Sequence, residues 1–276
     1  MRNALFTKPH MSQQKYNDMN DSKLNITQKE NYEICQFNNG RGNALNLELI
    51  QSLNKYILAF PEREAKGVIL SGQENIFSVG LDIKELIAQE IEETRVFFES
   101  FFELVMNMVK APYPIVSAIN GHSPAGGCVL AIASDFRVMA DDDRFQIGLN
   151  ELPVGIMATP SIFHLYRFWI GSRNAYQYLL TGKQMSPLEA KKVGLVDEIV
   201  SQEEVLEIAE MKMQEYLSFD YKTWCGMKRN LRTKLIQTME EDRSNGHVAT
   251  IDHFENNNGK EILTQKVMEL MSKRKQ

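Results

Sequence analysis

Two short apolar runs flank one long amphipathic segment, and that arrangement commits the chain to an α/β layout. Gly67-Val68-Ile69-Leu70-Ser71-Gly72 and Ile115-Val116-Ser117-Ala118-Ile119 are nearly continuous in apolar residues, which predicts strands buried on both faces. Between them, Ile91 to Lys110 has helical apolar spacing and stops ahead of Pro112 and Pro114, which cannot extend a helix. Tyr32 to Phe37 alternates as a strand, and Phe136 to Met139 reads as another buried one. Leu45 to Phe60 carries Leu49, Ile50, Leu53, Tyr56 and Ile57 at helical spacing. Buried strands alternating with helices predict a largely parallel sheet covered by helices. After about Ser161 the pattern reads as helical to the end, with Asn256-Asn257-Asn258-Gly259 separating the last two helices.

The 276 residues fit one large α/β unit with an appendage, and 43% apolar content supports a sizeable core without disulfides or metals. A net charge of −5 lacks the basic footprint of a nucleic-acid binder, and Lys273-Arg274-Lys275 reads as a solvated helix end. Cys35, Cys128 and Cys225 lie far apart with no CxxC pair, so neither a disulfide framework nor a metal site is expected. No apolar run reaches the roughly 20 residues of a membrane span. The N-terminus lacks the apolar core of a secretory signal. A cytoplasmic location is expected, with the mitochondrial matrix as the alternative because Met1 to Asn17 holds no acidic residue. Residues 1–29 are polar and aperiodic and are expected to form a disordered extension, followed by a core over 30–215 and a helical region over 216–276.

Several chemistries lack their signatures. There is no G-x-G-x-x-G after a strand, no P-loop and no H-E-x-x-H. Gly121-His122-Ser123-Pro124-Ala125 begins like a nucleophile elbow, but Ala125 stands where the second glycine belongs. Asp141-Asp142-Asp143 has no spaced ligands and reads as a solvated turn.

Two glycine-bearing turns remain. Phe77-Ser78-Val79-Gly80-Leu81-Asp82-Ile83 follows one buried strand, and Asn120 to Cys128, with Gly126-Gly127, follows the other. Glycines at a helix start leave N–H groups unpaired and aligned with the helix dipole, which suits an anionic oxygen. On this turn alone, close packing of strand and helix serves equally well as an explanation.

Taken together, Phe77–Ile83, Ser117-Ala118-Ile119-Asn120-Gly121 and Ala125-Gly126-Gly127-Cys128 resemble the crotonase (enoyl-CoA hydratase/isomerase) superfamily. Asn43-Ala44-Leu45-Asn46, Ser186 to Ala190 and Gly194 to Val200 fit as well, so the resemblance runs from residue 31 to about 235. It implies a ββα spiral core, a C-terminal helical region that makes a homotrimer or a dimer of trimers, and an acyl-CoA substrate handled without a separate cofactor. It places the thioester oxygen between the backbone N–H groups of Leu81 and Gly126, with Gly127 as the neighbouring possibility. Val79, Gly80, Asp82, Ile83 and Ala44 would line the substrate site. Lys84 would lie near the coenzyme's adenine or phosphates, or be an exposed helix lysine.

Family members that hydrate use two glutamates; here the first position is Val129 and the second is Glu151. The stretch Ile147 to Ile156 around Glu151 resembles the mitochondrial-type Δ3,Δ2-enoyl-CoA isomerases. A lone carboxylate among Leu149, Leu152, Val154 and Ile156 would be raised in pKa by desolvation, as a proton shuttle needs; otherwise it would cap the next helix. The resemblance thus implies isomerisation of a 3-enoyl-CoA within fatty acid β-oxidation. A hydratase or other acyl-CoA lyase, or a non-catalytic acyl-CoA binder, is the alternative.

Overall fold

The computed structural model describes residues 22–243 and 246–273. Its main sheet has six strands in the order β1 (Leu24–Gln28), β2 (Glu33–Phe37), β3 (Val68–Ser71), β5 (Ile115–Ile119), β7 (Phe136–Ala140) and β9 (Glu198–Val200). β1 is antiparallel to β2 and every other pairing is parallel, as crossover helices require. A second, smaller parallel sheet runs β4 (Asn75–Ile76), β6 (Gly121–Pro124), β8 (Ile147–Gly148).

The helices form where caps and apolar stripes coincide. Helix α1 (Leu47–Ala59) starts at Asn46, whose side chain accepts from the Leu49 N–H, and buries Leu49, Ile50, Leu53, Tyr56 and Ile57. After α2 (Ile83–Ala88), α3 (Ile91–Lys110) opens with a capping box between Glu90 and Glu93 and buries a stripe that includes Phe97, Phe98, Phe101 and Phe102. α1 packs on α3. Helix α4 (Gly126–Ala133) is buried along its whole length and touches both α3 and α5 (Pro160–Thr181). Beyond α6 (Pro187–Val193), α7 (Val205–Ser218) lies across β3, β5 and β7. The chain ends in α8 (Tyr221–Arg243), α9 (Gly246–Asn256) and α10 (Gly259–Lys273). α8 packs on α5 and α3; α9 packs on α3; α10 packs on α2 and the Leu152–Val154 turn.

Three sequence expectations need correction. The polar extension expected over 1–29 contains β1: Leu24 is 2% exposed, and the strand pairs with β2 from Leu24↔Phe37 to Gln28↔Glu33. Its polar flanks conceal an edge strand that needs only one buried side chain to dock. Residues 1–21 lie outside the described residues. Second, the segment after Ser161 is not helical throughout, because β9 adds an edge strand against β7. Third, the expected boundary between 215 and 216 falls inside α7, a helix of the core that ends at Ser218.

Candidate functional site

Each strand of the small sheet delivers one part of the site. β4 leads into the Phe77–Leu81 turn, β6 into Ala125-Gly126, and β8 into Asn150-Glu151. The sheet therefore sets the spacing of three otherwise irregular segments.

The first turn is held from outside by the Asn43–Leu45 segment. Asn43 Nδ2 donates to the Phe77 carbonyl, Ser78 Oγ donates to the Asn43 carbonyl, and the Val79 N–H donates to the Gly42 carbonyl. Leu45 forms a parallel bridge with Leu81: the Leu45 N–H donates to the Gly80 carbonyl, and the Asp82 N–H donates to the Leu45 carbonyl. In such a bridge residue 81 presents its own N–H on the opposite edge, away from Leu45.

On the second turn Ala125 is held at φ 48° and ψ −122°, a positive-φ conformation uncommon for a residue with a Cβ. Its N–H donates to the Gly148 carbonyl, and the first helical bond of α4 runs from Val129 N–H to the Ala125 carbonyl. The Gly126 N–H thus belongs to the unpaired first turn of α4. The two turns nearly touch, since a Cβ added at Gly80 would lie 3.0 Å from Gly126 N and one added at Gly126 would lie 3.2 Å from Leu81 N. Gly127 serves close packing instead, because a Cβ there would meet the Ser78 carbonyl oxygen at 2.5 Å.

A cavity of about 90 Å³ opens over these turns. Val79, Leu81, Ile83, Gly126, Val129 and Glu151, all singled out from sequence, line it. Ala44, Gly80, Asp82, Lys84 and Gly127 do not. Asp82 instead caps α2, accepting from the Lys84 and Glu85 N–H groups, and Lys84 is exposed. Ser123 is buried in β6 and lies off the cavity wall. Asp142 pairs with Arg144 in a turn.

Other parts of the wall escaped sequence reasoning. Phe98, Phe101 and Phe102 of α3, Ile162 of α5 and Thr250 of α9 also line the cavity. Their periodicity marks them as a buried helix face but cannot distinguish a face against protein from a face against a cavity.

Among the described residues, Glu151 is the one ionisable residue on this wall. Its Oε2 is buried with no hydrogen-bond partner, and burial pushes its pKa up to about 7. The surface it retains opens on this cavity and on a second one behind it. Its side chain does not cap the following Leu152–Val154 turn, which removes the capping explanation. Beside it, Asn150 Oδ1 is likewise buried without a partner. Val129, the position where the family resemblance implies a hydratase's other glutamate, is 1% exposed and apolar. Among the described residues no group of three or more His, Cys, Asp or Glu is arranged to hold a metal, and no helix is long and apolar enough to cross a membrane.

Comparison with known proteins bears on this geometry. The family profile described as enoyl-CoA hydratase/isomerase matches residues 28–267. The rat protein named enoyl-CoA delta isomerase 1, mitochondrial, is 34% identical over 221 residues, covering 77% of this chain and 75% of its own. The solved structure of human mitochondrial delta3-delta2-enoyl-CoA isomerase superposes with a TM-score of 0.87 at 26% identity, covering 91% of this chain and 99% of that one. The enoyl-CoA hydratase EchA3 of Mycobacterium ulcerans, 24% identical, shares the fold with a TM-score of 0.76 over 83% of this chain and 99% of its own.

Proposed function

The chain belongs to the enoyl-CoA hydratase/isomerase family, and from that premise we propose that it moves the double bond of a 3-enoyl-CoA into conjugation, giving the trans-2-enoyl-CoA. The observation that carries this reading is Glu151, the single ionisable residue among the described residues of a wall that is otherwise apolar or uncharged.

In this reading the thioester oxygen accepts from the Leu81 and Gly126 N–H groups. Ionised Glu151 removes a proton from C2, and the C–H electron pair shifts to form a dienolate whose charge rests on the held oxygen. Fixed donors stabilise that charge as it appears, and removal of one such donor typically costs on the order of 3–4 kcal/mol. The protonated carboxyl then returns its proton to C4 as the double bond settles between C2 and C3. A base with a pKa of about 7 accepts and releases a proton with similar ease at neutral pH. Hydration, by contrast, needs a water held and activated against C3, and Val129 offers no group for that.

The coenzyme is part of the substrate in this reading, and no further cofactor enters. Self-association would use the exposed apolar residues Phe168 of α5 and Met227 and Leu231 of α8. The relatives named mitochondrial favour a matrix location over a cytoplasmic one.

Supplying the full chain with trans-3-hexenoyl-CoA and, separately, with crotonyl-CoA tests the assignment. Absorbance of the conjugated thioester rises with the first substrate and stays constant with the second. Faster hydration of crotonyl-CoA than isomerisation of the 3-enoyl-CoA overturns the assignment, and turnover of neither supports a non-catalytic binder.

A further inference from the structure

Besides Glu151 Oε2 and Asn150 Oδ1, a further polar atom on the cavity wall has no hydrogen-bond partner among the described residues, and it lies on a different element, away from the Asn150-Glu151 loop. Thr250, on α9, is 1% exposed, lines the cavity beside Phe98, Phe102 and Ile162, and its Oγ1 makes no hydrogen bond. This departs from the chain's own habit. Thr94, Thr181, Thr233, Thr238 and Thr264 each donate to the carbonyl four residues earlier in their helices. The corresponding acceptor for Thr250 would be the Gly246 carbonyl, and the bond is not made.

The position is well fixed. One turn earlier His247 stacks on Phe102 with ring centroids 4.1 Å apart and meets Ser161 Oγ at 3.3 Å, which ties this face of α9 to α3 and α5. Valine has the same shape as threonine and would line the cavity without desolvating a hydroxyl, whose burial unpaired costs about 1–3 kcal/mol. A hydroxyl kept there can both donate and accept, so it suits a ligand hydroxyl or carbonyl oxygen.

We propose that Thr250 is a specificity-determining contact that lets the cavity accept an acyl chain carrying an oxygen, a hydroxyl or a carbonyl, beyond the reacting carbons. This rests on the reading of the cavity as an acyl-thioester site. Val129, Ile162 and the phenylalanines then pack the methylenes, and Thr250 supplies the hydrogen bond that an oxygenated chain would otherwise lose on leaving water.

Calorimetric binding of hexanoyl-CoA and of 4-, 5- and 6-hydroxyhexanoyl-CoA to the full chain tests this, using wild type, Thr250→Val and Thr250→Ser. None of these ligands can isomerise, so the result is independent of turnover. For at least one hydroxylated ligand, Thr250→Val is expected to raise the Kd relative to hexanoyl-CoA about tenfold, the equivalent of one ordinary hydrogen bond. Thr250→Ser keeps the wild-type ratio, and Thr250→Val melts no lower than wild type. Ratios unchanged within twofold for all three hydroxylated ligands, with hexanoyl-CoA still bound, overturn the role of Thr250 alone. A lower melting temperature in Thr250→Val with unchanged ratios assigns the hydroxyl a structural role instead. Failure of wild type to bind hexanoyl-CoA overturns the acyl-thioester reading, and this proposal with it.

Discussion

Two largely buried carboxylates in this molecule are treated in opposite ways. Asp135, just before β7, accepts from the Ile115 N–H at 2.8 Å and from Lys228 Nζ at 2.7 Å, and pairs with Arg232 at 3.0 Å. Lys228 also donates to the Tyr113 carbonyl, and Arg232 to the carbonyls of Val109, Ala133 and Ser134. Burial pulls Lys228 down to about 8 against the attraction of Asp135, which still leaves it protonated at neutral pH. Glu151 has far less: among the described residues no cation pairs with it, Oε2 is unpartnered, and its own backbone N–H is the one hydrogen bond that opposes the effect of burial. Charge surrounded by charge fastens α8 to the sheet, whereas charge left alone in an apolar wall is free to change its protonation state. The contrast separates a structural carboxylate from one suited to proton transfer.

The largest effect should come from attacking the structural carboxylate. Asp135→Ala leaves Lys228 and Arg232 buried without their counter-charge and is expected to lower stability by about 3–5 kcal/mol. Denaturant unfolding checks this, and a loss under about 1 kcal/mol would mean that the cluster relaxes into solvent.

Glu151, the carboxylate proposed to move the proton, should behave in the reverse sense. Its pKa is about 7 in the folded chain against 4.5 for the ordinary group. Between those values the folded state holds a proton that the unfolded chain has released, so stability falls as pH rises through that window. The loss is complete above about 7 and amounts to roughly 3 kcal/mol. Glu151→Gln should therefore be more stable than wild type at pH 8 and nearly equal to it at pH 4. Equal stability at both values would place the carboxylate in water. For the same reason kcat/KM should rise with pH and level off above about 7, because only ionised Glu151 abstracts a proton.

A smaller effect, about 2–3 kcal/mol, is expected from a chain that begins at Glu30. That chain loses β1 and the burial of Leu24, and exposes the edge of β2. Thermal unfolding of the two forms decides. The smallest effect belongs to Val129→Glu, which should introduce weak hydration of crotonyl-CoA. The new buried carboxylate must be desolvated and repels Glu151, so the gain stays slight. Hydration as fast as isomerisation in that variant would show that one residue separates the two chemistries.

What could be read from the sequence follows the physics of burial. β3, β5 and α3 are continuous or strongly periodic, and their observed bounds agree with the reading. Glu151 and the two glycine turns were legible because their residue types are conspicuous in an apolar context. β4 and β8 have two residues each and β6 contains a proline, so the small sheet that spaces the site left no periodic signal. Thr250 lies far along the chain from the glycine turns and from Glu151, and only the packing of α9 on α3 brings it to the cavity.

The most direct measurement is the activity of Glu151→Gln on trans-3-hexenoyl-CoA, alongside its affinity for hexanoyl-CoA. The amide keeps the shape of the carboxyl and removes its capacity to shuttle a proton. Turnover is predicted to fall by about 10²–10⁴-fold while hexanoyl-CoA binds within about threefold of wild type. Wild-type turnover in this variant would contradict the account, because among the described residues the cavity wall holds no second ionisable group to take the proton.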